Sequence, residues 1–165
     1  NEINRLIIPK MILKRSDRNS VVVTNVDAET QLVSSARQVA MMLIALARQK
    51  YAEGLEKQQE VMMHIADVLI ELYVMESTLV RTRKISASEK GTHAREISAV
   101  FLRDAMGRVE SSARNVLGNC TEGAALHQSL AALRQITAHD PVDSIRLRRN
   151  IAHRVTDPLH SPPNS

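Results

Sequence analysis

The 165 residues include no tryptophan, one phenylalanine (Phe101) and two tyrosines (Tyr51, Tyr73). The core must therefore be aliphatic, built from Leu, Ile, Val, Ala and seven Met. The same scarcity removes the stacking platforms on which bases are held. Cys120 is the one cysteine, so no disulfide framework can form and a reducing compartment is expected. Glycine and proline occur five times each, a composition that favours helices. No apolar run approaches the ~18 residues needed to cross a membrane, and the N-terminus carries no signal-peptide pattern. There is no GxGxxG and no Walker sequence, so the chain has no evident means of enclosing a dinucleotide by itself. The Glu-x-x-His repeats of a di-iron bundle are absent as well. Lys and Arg number 22 against 18 Asp and Glu, a formal charge of +4. The two signs are mixed along each segment, which points to a solvated surface more than to a nucleic-acid groove.

What is present is helical periodicity. Leu55 to Lys84 contains neither Gly nor Pro, and Val61, Ile65, Val68, Leu72, Met75 and Leu79 recur at the spacing of one helix stripe. Met62, Leu69, Tyr73 and Val80 widen that stripe enough to be covered from two sides. A preceding helix is expected from about Ala28 to Tyr51, capped by Asp27, with Leu32, Val33, Ala36, Val39, Ala40, Leu43, Leu46 and Ala47 inward. Gly54 is the expected cap or turn residue between the two. A third helix should run from about Thr92 to Leu117, with Ile97, Val100, Phe101, Ala105, Val109, Ala113 and Val116 inward, and stop at Gly118-Asn119. Thr121 is the expected cap of a fourth, and Asp140-Pro141 the start of a fifth reaching about Arg154. Short connections make successive helices antiparallel neighbours. The fold class is thus all-α: an antiparallel bundle of about four to five helices over residues 28–156. A short N-terminal helix stub (1–15, broken at Pro9) and a linker (16–27) precede it, and a tail rich in Pro and Ser (157–165) is expected to be disordered.

The stub carries a resemblance. Asn1-Glu2-Ile3-Asn4-Arg5-Leu6, then Ile8-Pro9 and Leu13-Lys14-Arg15, resemble the segment that follows the catalytic Glu-Gly-Thr of acyl-CoA dehydrogenases. The branch resembled is the very-long-chain type, which has an extra α-helical domain at its C-terminus. Ile65-Ala66-Asp67, Met75-Glu76-Ser77 leading to Arg81-Thr82, and Leu133-Arg134-Gln135-Ile136-Thr137 through Pro141-Val142 are similar to that domain. The resemblance implies that the catalytic glutamate lies upstream of Asn1 and that no catalytic residue lies in this chain. It also implies that Asn1 and Glu2 neighbour FAD in the intact enzyme. That parent would remove the α-proton of a fatty acyl-CoA, pass the β-hydride to FAD and be reoxidised by an electron-transferring flavoprotein, as a homodimer. A bacterial cytoplasm is the expected setting, with the matrix side of the inner mitochondrial membrane as the alternative. The absence of an initiator Met suits a piece of something longer. The rival readings are an independent helical module that binds protein or membrane, and a four-helix enzyme or metal carrier.

Three groups of residues are candidates for chemistry. Glu60, His64, Asp67 and Glu71 fall on or near one helix face, where a solvated stripe is the expected role and no metal is assigned. Cys120 and His127 lack an orienting acid, so an interhelical thiol is expected. Ser144 to Arg154 gathers Arg146, Arg148, Arg149 and Arg154 with His153. It is expected either to bond the acids of the first two helices or to meet anionic headgroups, with Ile145, Ile151 and Val155 as its apolar side.

Overall fold

The structure, a computed structural model, describes residues 27–87 and 91–156. Five α-helices occur among them: α1 (Ala28–Tyr51), α2 (Gln59–Ile85), α3 (Gly91–Cys120), α4 (Gly123–Thr137) and α5 (Ser144–Thr156), with a 3-10 turn, Ala52–Lys57, between α1 and α2. The stub, the linker up to residue 26 and the tail lie outside the described residues.

α1, α2 and α3 pack mutually in an up-down-up arrangement. Arg83 near the end of α2 pairs with Asp27 before α1, and Leu79, Thr82 and Arg83 share a pocket with Arg95 and Ser98 near the start of α3, so α2 runs against both neighbours. Among the described elements, α4 lies on α1 and α3, and α5 touches α3 alone. The core follows the periodicity. All six residues of the α2 stripe are buried, as are all the inward residues named for α1 except Leu46, which is half-buried against the core. Small side chains are part of that core: Ala36, Ala40 and Ala47 of α1 and Ala105 and Ala113 of α3 are all buried.

Several boundaries differ from expectation, each for a local reason. α1 does end near Tyr51, but the reversal falls on Ala52 (φ 45°, ψ −122°), whose N–H donates to the Arg48 carbonyl, and not on Gly54. Leu55 lies in the 3-10 turn, so α2 begins at Gln59. α3 runs past Gly118-Asn119 because Cys120 still has core to fill. Thr121 then closes α3: its N–H and Oγ1 donate to the Leu117 carbonyl at 2.9 and 2.8 Å. It does not cap α4, where Gly123 takes the left-handed φ of +55°. α5 starts at Ser144 with Asp143 as its cap, Oδ1 accepting from the Arg146 N–H at 3.0 Å. Asp140-Pro141 stays non-helical, and the Asp140 carbonyl accepts from Arg103 instead. Tyr73, Val80 and Ile97, all expected to be covered, are exposed.

Ala52 holds a backbone conformation that favours glycine. Ala52→Gly is therefore expected to raise stability by about 1 kcal/mol, seen as a higher urea midpoint at unchanged slope.

The α1 cap is pH-sensitive. Asp27 Oδ1 accepts from the Thr30 N–H at 2.7 Å and from the Thr30 hydroxyl. The Thr30 hydroxyl bond, ahead of the pull of Arg83, holds the carboxyl below its ordinary value of 3.8. A depressed carboxylate contributes stability above the unfolded pKa and loses it as pH falls through the folded one. Asp27→Ala should cost about 1 kcal/mol at neutral pH. Chemical denaturation at a series of pH values should show its deficit against the wild type shrinking below about pH 4.

Candidate functional site

The three groups of polar residues singled out for chemistry come to different ends. On α2 and α3, Glu71 accepts both guanidinium bonds of Arg108, at 2.6 and 3.0 Å. That bidentate pair draws the carboxylate out of reach of any ligand role and holds the Arg108 proton more tightly than usual. His64 is half-buried with Nδ1 unpartnered, and among the described residues no group of three or more His, Cys, Asp or Glu is placed to hold a metal.

Cys120 lines a cleft of about 520 Å³ where the ends of α1 and α3 meet the start of α4, beside Lys50, Glu122 and Gln128. Burial pushes its thiol up, and the nearby Lys50 ammonium only partly offsets this. Such a thiol stays protonated at neutral pH and is a poor nucleophile. Lys50 is itself engaged, donating to the Asn119 carbonyl, while the Tyr51 hydroxyl bonds the Asn119 side chain. His127 is exposed on α4 and does not line the cleft, so the thiol has no imidazole beside it. The arrangement clamps the end of α1 to the end of α3.

The arginines of α5 divide into two pairs. Arg148 donates to both oxygens of Asp104 at 2.8 and 2.7 Å, and Arg154 to Glu96 at 2.7 Å, with Asn150 adding a 3.3 Å bond to Glu96. The partners are thus acids of α3, not of the first two helices, because α5 packs on α3 alone. Arg146 reaches only Asp143 in its own first turn, at 3.6 Å, and Arg149 is exposed. The expected apolar side splits: Ile151 is half-buried, whereas Ile145 and Val155 stand exposed. No residue of α5 is fully buried, so polar bonds do most of the holding.

One residue with a structural role had no sequence signal. Arg103 donates to the carbonyls of Asp140 (3.1 Å) and Ala99 (3.0 Å) and lies 3.7 Å from Glu29. It ties α3 to the first turn of α1 and to the α4–α5 connection. Arg114, eleven residues on, falls at nearly the same angle of the helical wheel yet reaches only Glu110 of its own helix; only the packing distinguishes Arg103. Asn1 and Glu2 lie outside the described residues.

Comparison with known proteins follows the fold. A family model described as acyl-CoA dehydrogenase, C-terminal domain, matches residues 35–135. A probable acyl-CoA dehydrogenase of Bacillus subtilis (strain 168) is 28% identical over 176 residues, covering 92% of this chain and 30% of that protein. The crystal structure of an acyl-CoA dehydrogenase complexed with FAD from Bacillus anthracis superposes with a TM-score of 0.83 at 32% identity, over 94% of this chain and 29% of that one. The chain thus spans under a third of the length of these relatives.

Proposed function

This chain belongs to the acyl-CoA dehydrogenase family, and we propose that it serves there as a non-catalytic C-terminal accessory domain. The parent would be an FAD-dependent enzyme of fatty acid β-oxidation that dehydrogenates fatty acyl-CoA between its α and β carbons. Ile8-Pro9 and Leu13-Lys14-Arg15 favour the very-long-chain branch. The observation that carries the accessory role is the fate of the polar residues. Glu71, Lys50, Arg148 and Arg154 all spend their charge on bonds between helices, and the Cys120 thiol is held protonated. Flavin would be bound outside the described residues, with Asn1 and Glu2 as its neighbours in this chain. What these helices supply is a packed body that stabilises the catalytic core or the dimer. An electron-transferring flavoprotein as electron acceptor and a bacterial cytoplasm complete the reading; the lone thiol suits that compartment.

The test is the native gene product. An antibody to this chain should detect a protein several times its mass, and that protein, once purified, should carry flavin and oxidise fatty acyl-CoA with an artificial electron acceptor. A product of this chain's own size would overturn the reading.

A second reading, peripheral contact with an anionic membrane, is favoured by the exposure of Ile145 and Val155 beside Arg146 and Arg149. Two exposed arginines, Arg146 still sharing Asp143, give weak electrostatic attraction, about 1 kcal/mol each near a charged surface. Co-sedimentation of the full-length protein with phosphatidylglycerol vesicles, lost in Arg149→Glu, would support it.

A further inference from the structure

Among the described elements, α2 is the long helix on which neither α4 nor α5 lies. α4 lies on α1 and α3 and α5 lies on α3, whereas α2 touches only α1, α3 and the 3-10 turn among the described elements. One seam of α2 runs Met62, Ala66, Leu69, Tyr73, Ser77, Val80, at the three- and four-residue steps of a single helix face. The first three are buried and the last three exposed, Tyr73 at 67% and Val80 at 53%. The seam is apolar at both ends but covered along half its length. α1 extends the bare half. Arg37 pairs with Glu76 across the α1–α2 boundary. Met41 lies one turn beyond Arg37 and Tyr73 one turn before Glu76, so the ion pair sets both exposed side chains on one side of the bundle. Exposed Arg81 and Lys84, with Tyr73, Ser77 and Val80, line a groove of about 440 Å³. An aromatic and aliphatic ridge with a charged rim is the anatomy of an interface.

We propose that this α2 face is the surface by which the domain docks on the catalytic part of its own polypeptide. Tyr73 and Val80 meet apolar side chains there, and Arg81 and Lys84 meet carboxylates. The proposal rests on the accessory-domain reading above. Chain length selects the occupant: the equivalent helices are under a third of each relative, so more than twice their own length of protein accompanies them. A body of that size has the area to cover a ridge two helical turns long. The exposed apolar pair on α5, Ile145 and Val155, is the weaker candidate, since α5 itself is held without a fully buried residue and makes a poor anchor.

The experiment uses the full-length gene product with photoreactive benzoylphenylalanine placed in turn at Tyr73, Val80 and, as a control, Ile145. Irradiation should join positions 73 and 80 to peptides outside these 165 residues but within one polypeptide. The yield at each should be about tenfold that at Ile145. Cross-links to a second copy, to a different protein or only within these 165 residues would overturn the proposal, as would yields no higher than the control. Val80→Asp supplies a second readout. Helicity should be unchanged because the side chain is exposed, while limited proteolysis should release the helical domain from the rest severalfold faster. An unchanged release rate would count against the surface. A gene product that binds flavin and oxidises acyl-CoA without the cross-link loses only this docking face. A gene product no longer than this chain ends both the docking face and the accessory-domain reading.

Discussion

Truncating Leu102 to alanine is expected to lower the free energy of unfolding by about 3 kcal/mol, and truncating Ile97 by less than about 1. The two residues lie five apart on α3 and differ in what surrounds them. Leu102 is fully buried in the aliphatic cluster where α1, α2 and α3 meet, together with Leu43, Leu69 and Met106. Removing its isopropyl group forfeits the transfer free energy of three carbons and leaves a cavity that three packed long helices close only in part. Ile97 is 41% exposed, so its truncation loses part of the transfer term and opens no cavity. Urea denaturation of both variants at one pH decides the matter. Equal losses would mean that α3 presents a different face to the core than the one described.

That pair of residues also marks where the sequence stops being legible. On α2 the six stripe positions are buried without exception, because a strictly repeated apolar row leaves one choice of inward face. On α3 the row is broken: Ser98 sits in the interior while Ile97 beside it faces out. Ile97 joins Val100, Phe101 and Ala105 on an acceptable apolar arc, and nothing in the order of residues shows that the helix is rotated towards Ser98 and Leu102. The bundle is thus readable from periodicity, but the rotation of one helix against two others is not. The same limit applies to the polar residues. Ser144–Arg154 stands out as basic in the sequence, yet Asp104 and Glu96 become its partners only because α5 lies on α3. Family membership was legible for a different reason. It rests on short ordered stretches such as Ile65-Ala66-Asp67 and Leu133 to Thr137, and no helix-packing argument would have produced it.

Arg103→Met should cost about 2 kcal/mol, more than any exposed ion pair of the bundle, and its effect should be concentrated at α5. The Arg103 side chain is only 13% exposed, so its bonds are made partly out of water. Methionine keeps the length and much of the volume of the aliphatic stem, which separates lost packing from lost bonding. What disappears is the donor to the Asp140 carbonyl, the donor to the Ala99 carbonyl and the cation near Glu29. A charge-assisted bond is worth about 1.5–3 kcal/mol, and the solvent exposure of Asp140 and Glu29 discounts the sum towards the lower end. The carbonyl of Ala99 lies within α3 and keeps its helical surroundings. That of Asp140 lies in the non-helical connection between α4 and α5 and has Arg103 as its side-chain donor. Since α5 buries no residue completely, what still holds it is mainly the Arg148–Asp104 and Arg154–Glu96 pairs, the Asn150–Glu96 bond and the Arg154–His93 contact, beside the partial burial of Leu147 and Ile151. Hydrogen exchange should therefore speed up across residues 138–156 in the variant, while Lys50 and Asn119 at the far end of the bundle keep wild-type protection. Raising the salt concentration should widen the difference, because screening weakens the two exposed ion pairs that still hold α5. Uniform acceleration over all five helices would instead mean that Arg103 supports the whole bundle and that α5 is not separately anchored.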